Sequence, residues 1–191
     1  MNDAYEARSE FYARARESRA SIEYVRRHGL DMKAIERDAG AFTVLRVAYP
    51  CPDRFDFGGP DDVPSVVIQA HDESGVFADL VAWPIDAPGR FATMFGRVPM
   101  LGEGAVQNPA TYFLGRPLRL YRTPLAWLQA GCEGAACILD PRAAAWRLLD
   151  PLGPIACDDA RHQREVRTLL RSVADAVQLV VPAPSDRRAN A

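Results

Sequence analysis

Residues 117–182 alternate short apolar runs with amphipathic ones: "PLRLY", "TPLAWLQAG", "AACILD", "PRAAAWRLLDPL", "PIAC", "DDARHQREVRTLLRSVADA" and "VQLVVP". Read as strand, helix, strand, helix, strand, helix and strand, this order demands right-handed βαβ crossovers and a mainly parallel sheet. The punctuation agrees. Pro124 and Pro141 sit where a first helical turn tolerates proline, and Gly131 suits the position just past a helix end. The last helix places Val166, Leu169, Leu170, Val173 and Val177 on one face.

Upstream the pattern differs. Residues 4–18 mix Arg and Glu with Ala, Tyr and Phe, with Phe11, Tyr12 and Ala15 forming a helical stripe. Ser21 is expected to cap a second helix, "IEYVRRHG", with Ile22 and Val25 inward and Gly29 as its stop. Asp31 is expected to open a third, ending at Gly40. "AFTVLRVAY" reads as a strand, and "PCPDRFDFGGPDDVP" as a loop. "SVVIQAH", the turn "DESG" and "VFADLVAWPI" form a hairpin pattern, so 41–97 suggests an antiparallel sheet. The expected class is α/β (α+β overall): a helical appendage at 1–40, an antiparallel β region at 41–115, an α/β segment at 116–182 and a loose tail at 183–191.

Composition narrows function. Apolar residues at 48% and a formal charge of −2 describe a chain that buries a core and carries no global field for a polyanion. Arginine supplies 22 of the 23 basic residues, Lys33 being the one lysine. The charged N-terminus lacks a signal-peptide stretch, and no apolar run reaches the ~18 residues of a membrane span. A cytoplasmic location without a membrane partner is therefore expected. The cysteines at 51, 132, 137 and 157 show no C-x-x-C spacing, which argues against structural zinc.

The order of elements from 117, with "PIACDDARH" as a strand end followed by a helix and "VQLVVPAP" as a closing strand, resembles the Toprim domain of bacterial and phage primases, topoisomerases and related nucleases. "VPSVVIQAHDESGVFADLVAW" and "GRVPMLGEGAV" resemble the region before Toprim in primase-like proteins of phages and plasmids. "CPDRFDFG" resembles the end of their zinc-binding module. The chain is also similar to proteins carried by alphaproteobacterial prophages. Over 60–182 the resemblance implies a Mg²⁺ site for phosphoryl transfer, made by a glutamate ending the first strand and an Asp-x-Asp ending a later one. Here Arg122 and Thr123 stand in the glutamate's place, and Asp158-Asp159-Ala160 leaves the second aspartate position to alanine.

The residues themselves give Asp158 or Asp159 a simpler role. Aspartate at a helix N-terminus accepts backbone N–H bonds and complements the macrodipole. Asp140, before Pro141, fits the same role, although all three carboxylates are the metal candidates if a Mg²⁺ site exists. His162 falls in a charged helix and is expected to face solvent. Arg161, Arg164, Arg167 and Arg171 recur at helical spacing and make a candidate basic surface. Tyr5, Phe11, Tyr12 and Tyr24 read as core or interface, and are the interface candidates. The favoured function is a non-catalytic accessory or protein-interaction factor of a mobile genetic element, linked to replication or to countering host defence. It needs no cofactor, and its partner is another protein or a second copy of itself. The alternatives are a divergent Mg²⁺-dependent primase or nuclease, and a nucleic-acid-binding module.

Overall fold

A computed structural model describes residues 2–15, 19–58 and 62–174 of the chain. Three N-terminal helices, α1 (Asn2–Arg14), α2 (Arg19–His28) and α3 (Met32–Asp38), precede two sheets. Asp31 caps α3 as expected, its Oδ1 accepting the Lys33 N–H at 2.9 Å. α2 begins before Ser21, which is therefore not its cap. Instead, the Ser21 Oγ accepts the Val44 N–H at 2.9 Å and pins the helix to the first strand. Ile22 is exposed, not inward, because α2 turns Tyr24 into the core.

The antiparallel region closes into a five-stranded barrel rather than an open sheet. Its strands are β1 (Phe42–Cys51), β2 (Arg54–Phe57), β3 (Val63–His71), β4 (Phe77–Pro84) and β5 (Ala92–Thr93), in the order β1-β2-β5-β4-β3. β2 lies inside the stretch expected to be loop. Its Phe55 points into the barrel, and its Arg54 pairs in parallel with Thr93 to close the ring. Closure removes the edges that an open sheet would expose. The β3–β4 hairpin turns where expected, with Asp72 Oδ1 accepting the Ser74 and Val76 N–H groups.

Both faces of β3 and β4 are buried, which is why "SVVIQA" reads as a continuous apolar run. Val67, Leu80 and Ala82 fill the barrel with Val47, Phe55, Ala92 and, from α1, Phe11. Val66, Ile68, Val81 and Trp83 face outward and pack against Tyr24, Ile35 and the second sheet. Phe11 and Tyr24 are thus core residues, unavailable as interface. The Trp83 Nε1–H donates to the Tyr24 hydroxyl at 3.0 Å, satisfying two buried polar groups. α1, α2 and α3 each contribute to the core, through Phe11, Tyr24 and Ile35, rather than forming an appendage to it.

The second sheet runs β6-β8-β7-β9, from β6 (Met100–Leu101), β7 (Leu118–Tyr121), β8 (Ala135–Ile138) and β9 (Ile155–Cys157). β7 is parallel to β8 and β9, as the alternation requires; β6, not foreseen, is antiparallel to β8. The crossovers are α4 (Pro124–Gln129) and α5 (Pro141–Arg147), and α6 (Ala160–Ala174) follows β9. Ala144, Leu148 and Val166 cover one face of this sheet. The other face joins the barrel's outer cluster through Leu101, Trp127 and Cys137, so one core runs across positions 40 and 115. The expected strand at 177–182, with Val177, and the tail at 183–191 lie outside the described residues.

Gly102, just after β6, adopts φ +69, and a Cβ there would overlap the Ala135 carbonyl. Only glycine fits such a left-handed, closely approached position. Among the described residues, no helix is long and apolar enough to cross a membrane. Cys132 and Cys137 are buried, and burial pushes the Cys132 thiol up to about 12.

Candidate functional site

Ligands of parallel sheets gather at the carboxyl ends of the strands. Here β7 ends just before Arg122 and β9 just before Asp158, side by side because the two strands pair in parallel. Thr123 caps α4, its Oγ1 accepting the Ala126 N–H at 3.1 Å, so Arg122 is the last residue before the turn. Its backbone N–H donates to Asp158 Oδ2 at 3.1 Å and ties the two strand ends together.

The guanidinium of Arg122 then spans the carboxylates. Nη1 and Nη2 donate to Asp159 Oδ2 and Oδ1 at 2.7 and 3.2 Å, a two-pronged pairing. Nε and Nη2 also reach Glu165 Oε2 at 3.3 and 3.2 Å, while Arg161 Nε holds Glu165 Oε1 at 2.9 Å. Asp159 Oδ1 accepts the His162 N–H at 2.8 Å, the geometry of an N-cap on α6. Asp159 is therefore both helix cap and arginine partner. The Arg122 hydrogen bonds hold its carboxyl well below the usual range, and those of Arg161 and Arg122 lower Glu165. Asp159 in turn raises Arg122. These groups are half exposed, so solvent screens much of the stabilisation the pairs would otherwise supply.

His162 is 5% exposed, contrary to the expectation of a solvent-facing side chain. It shares a helix phase with Val166 and Val173, which are also buried. Its Nδ1 accepts the Asp158 N–H at 3.3 Å, which assigns the ring proton to Nε2. Nδ1 also stands 3.4 Å from Asp158 Oδ2, an ion pair only if the ring is protonated. Burial lowers the imidazole's pKa and favours the neutral form, in agreement with the backbone hydrogen bond.

Asp140 does not join this cluster. Its Oδ1 caps α5 by accepting the Arg142 and Ala143 N–H groups at 2.9 and 3.1 Å. Among the described residues no group of three His, Cys, Asp or Glu side chains is placed to hold a metal ion. Arg161, Arg164, Arg167 and Arg171 are all exposed on α6. At 100° per residue they fall within an arc of about 120°, opposite the buried His162, Val166 and Val173. Tyr5 and Tyr12 are exposed on α1, and the Tyr12 hydroxyl accepts from the buried Gln69 Nε2 at 2.7 Å.

At the amino ends of β7 and β8 a groove of about 1020 Å³ opens between α3, the β3–β4 turn and the 102–105 turn. Its polar lining largely pairs with itself. Arg37 meets Asp38 at 2.7 Å and Glu133 at 3.9 Å, and Arg119 Nη2 donates to the Glu133 carbonyl at 2.7 Å. Glu103 is buried, with Oε1 2.7 Å from Arg147 Nε but poorly aligned for a hydrogen bond. Burial raises its pKa against the opposing pull of Arg147.

Sequence reasoning marked Arg122 as a departure from a pattern but not as the centre of the cluster, and it passed over Glu165. The available signal was an arginine at one parallel strand end facing two aspartates at the next. No family model, curated protein or solved structure matches this chain.

Proposed function

We propose that the chain is a non-catalytic accessory protein that works by contact with another protein. By its resemblance over 60–182, it belongs to a mobile genetic element (prophage or plasmid) and descends from a primase-like scaffold, acting at replication or against a host system. One observation carries the non-catalytic part: the Arg122 guanidinium fills the space between the carboxylates. Mg²⁺ needs oxygen ligands with free lone pairs in near-octahedral geometry. Asp159 gives both oxygens to Arg122 and one also to the α6 N-terminus, while Asp158 fastens the end of β7. Asp140 is spent on α5. This donor set does not suit Mg²⁺, and no phosphoryl-transfer step is built on it. For the contact surface, α1 offers Tyr5 and Tyr12, aromatics of the kind enriched in protein interfaces.

Thermal melting with millimolar Mg²⁺ or Mn²⁺ tests this reading, because an ion bound by the native state raises the midpoint. An unchanged midpoint is expected. A dose-dependent rise that disappears in Asp158→Ala overturns the reading in favour of a divergent metal-dependent enzyme.

The arginine face of α6 favours a second reading, contact with a polyanion. Of its four arginines, Arg161 pairs with Glu165. Net charge of −2 leaves counterion release at that face as the driving force, so binding is expected to be weak and steeply salt-dependent. Nanomolar DNA or RNA affinity at physiological salt, lost in Arg164→Glu with Arg167→Glu, replaces the first reading with the second.

A further inference from the structure

Five large apolar side chains lie exposed on one side of the second sheet: Phe113, Leu114, Trp146, Leu149 and Leu152, between 38% and 80% accessible. The strand pairing brings the segments that carry them together. Leu118 pairs with Ile155, so the chain just before β7 runs beside the chain just before β9. The Leu118 N–H donates to the Pro154 carbonyl at 2.9 Å, and Gly153 packs so closely on the Tyr112 ring that a Cβ would overlap it. That places Phe113 and Leu114 alongside Leu152. Trp146 and Leu149, three residues apart, continue the patch toward the end of α5. Gln107 Nε2 donates to the Asp150 carbonyl at 2.5 Å and fixes the two loops to each other.

Leu114 adds a second signal. It is the most exposed of the five and sits at φ +58, a left-handed conformation that its Cβ disfavours. A bulky residue held there with its side chain in water contributes nothing to this chain's own core. Strain of this kind concentrates where a surface is used.

We infer that this face receives a second copy of the chain across a two-fold axis. Area and charge both support that occupant. The five side chains expose on the order of 500 Å² of apolar surface, since aromatic side chains alone carry about 150–250 Å² each. A standard interface takes about 800 Å² from each partner, about two-thirds of it apolar in homodimers, which is also about 500 Å². Arg142 lies one turn before Trp146 on α5, and charges of opposite sign flank the rest of the patch: Arg116, after Leu114, and Asp150, between Leu149 and Leu152. Both are exposed, and neither side chain has a hydrogen bond or ion pair among the described residues. In an isologous interface residue i meets residue j twice, so each Arg116 faces the other copy's Asp150. A net charge of −2 opposes the pairing little. This inference is independent of the reading proposed for the carboxylate cluster.

Sedimentation equilibrium of the full chain at micromolar concentration tests it. A dimer is expected, and Leu114→Glu is expected to be monomeric with an unchanged melting midpoint. A monomeric wild type, or a Leu114→Glu variant that remains dimeric, overturns the inference. Arg116→Glu and Asp150→Arg, both surface changes, guard against misfolding as the explanation. Each alone places like charges across the axis and is expected to weaken dimerisation at least tenfold. Mixed together, the two variants restore opposite charges at both contacts, and the heterodimer is expected to recover wild-type affinity. Failure of the mixture to recover equally overturns the two-fold arrangement.

Discussion

Asp79 is fully buried on β4, yet it is ionisable, and its role can be removed one atom at a time. Its Oδ1 accepts the N–H groups of Leu80, Met94 and Phe95 at 2.8, 3.2 and 3.0 Å, and its Oδ2 accepts that of Arg97 at 2.8 Å. Four backbone donors thus converge on one carboxylate, which anchors the turn that follows β5 and so closes the barrel. A hydrogen bond to a charged acceptor contributes about 1.5–3 kcal/mol, and a stranded buried donor costs about 1–3. The four terms do not add. Met94 N–H also reaches the Leu80 carbonyl at 3.0 Å, and water can reach the exposed Arg97 once the turn loosens. Asp79→Ala is therefore expected to cost about 3–5 kcal/mol, a large fraction of the 5–15 kcal/mol typical of a domain. Asp79→Asn keeps the shape and one carbonyl acceptor but places an NH₂ among donors, and is expected to cost about 2 kcal/mol. Urea unfolding followed by tryptophan fluorescence reads both losses from the shift in midpoint. An Asp79→Ala protein within 1 kcal/mol of wild type, a threshold taken from the ordinary surface-to-core range, would refute the anchoring role.

Gly102→Ala forces a Cβ into the Ala135 carbonyl at a left-handed φ and is expected to lower stability by about 2–4 kcal/mol in thermal melts, whereas Gly75→Ala, with open space around it, loses about 1. Phe11→Ala is expected to cost about 3–5 kcal/mol because Phe11 is inside the barrel, while Tyr5→Ala stays within about 0.5, and equal effects would return α1 to the status of an appendage. Burial lowers the His162 pKa, so below about pH 6.5 the unfolded chain binds the proton more readily and stability falls as pH drops toward the lower folded value. His28 and His71 are also lowered by burial and contribute to the same slope. The urea midpoint of His162→Gln is therefore expected to fall less between pH 7.5 and 5.5 than the wild type's, with no single histidine contributing more than about 1.4 kcal/mol per pH unit.

The parallel segment was legible because each βα turn carries its own chemistry. Thr123, Asp140 and Asp159 cap the helices that the apolar rhythm predicts, and Pro124 and Pro141 occupy first turns. Asp31 made α3 readable for the same reason. Barrel closure was not legible, since it depends on the four residues of β2 and the two of β5, joined by a parallel pairing distant in sequence. Local pattern cannot announce a contact of that kind. Phe11 stood out on the stripe of a charged helix, but pattern alone left open whether its ring met this chain's core or a partner. His162 was misread because its neighbours are charged, yet its phase with Val166 and Val173 carried the answer. At the carboxylate cluster the cap by Asp159 followed from sequence alone, whereas Asp158 caps no helix and accepts the Arg122 N–H instead. The clamp by Arg122 and Glu165 required knowing that β7 and β9 lie side by side.

The central claim is that Asp159 gives both oxygens to Arg122 and one to the α6 N-terminus, while Asp158 Oδ2 holds the Arg122 N–H, an arrangement that does not suit a metal. Electron paramagnetic resonance of Mn²⁺ measures this directly, because free and protein-bound ion give different signals. With the full wild-type chain at near-neutral pH, the free Mn²⁺ signal is expected to match that of buffer throughout a titration into the millimolar range. Stoichiometric loss of the free signal, reversed by Asp158→Ala or Asp159→Ala, would show that these carboxylates hold a metal and would contradict the account.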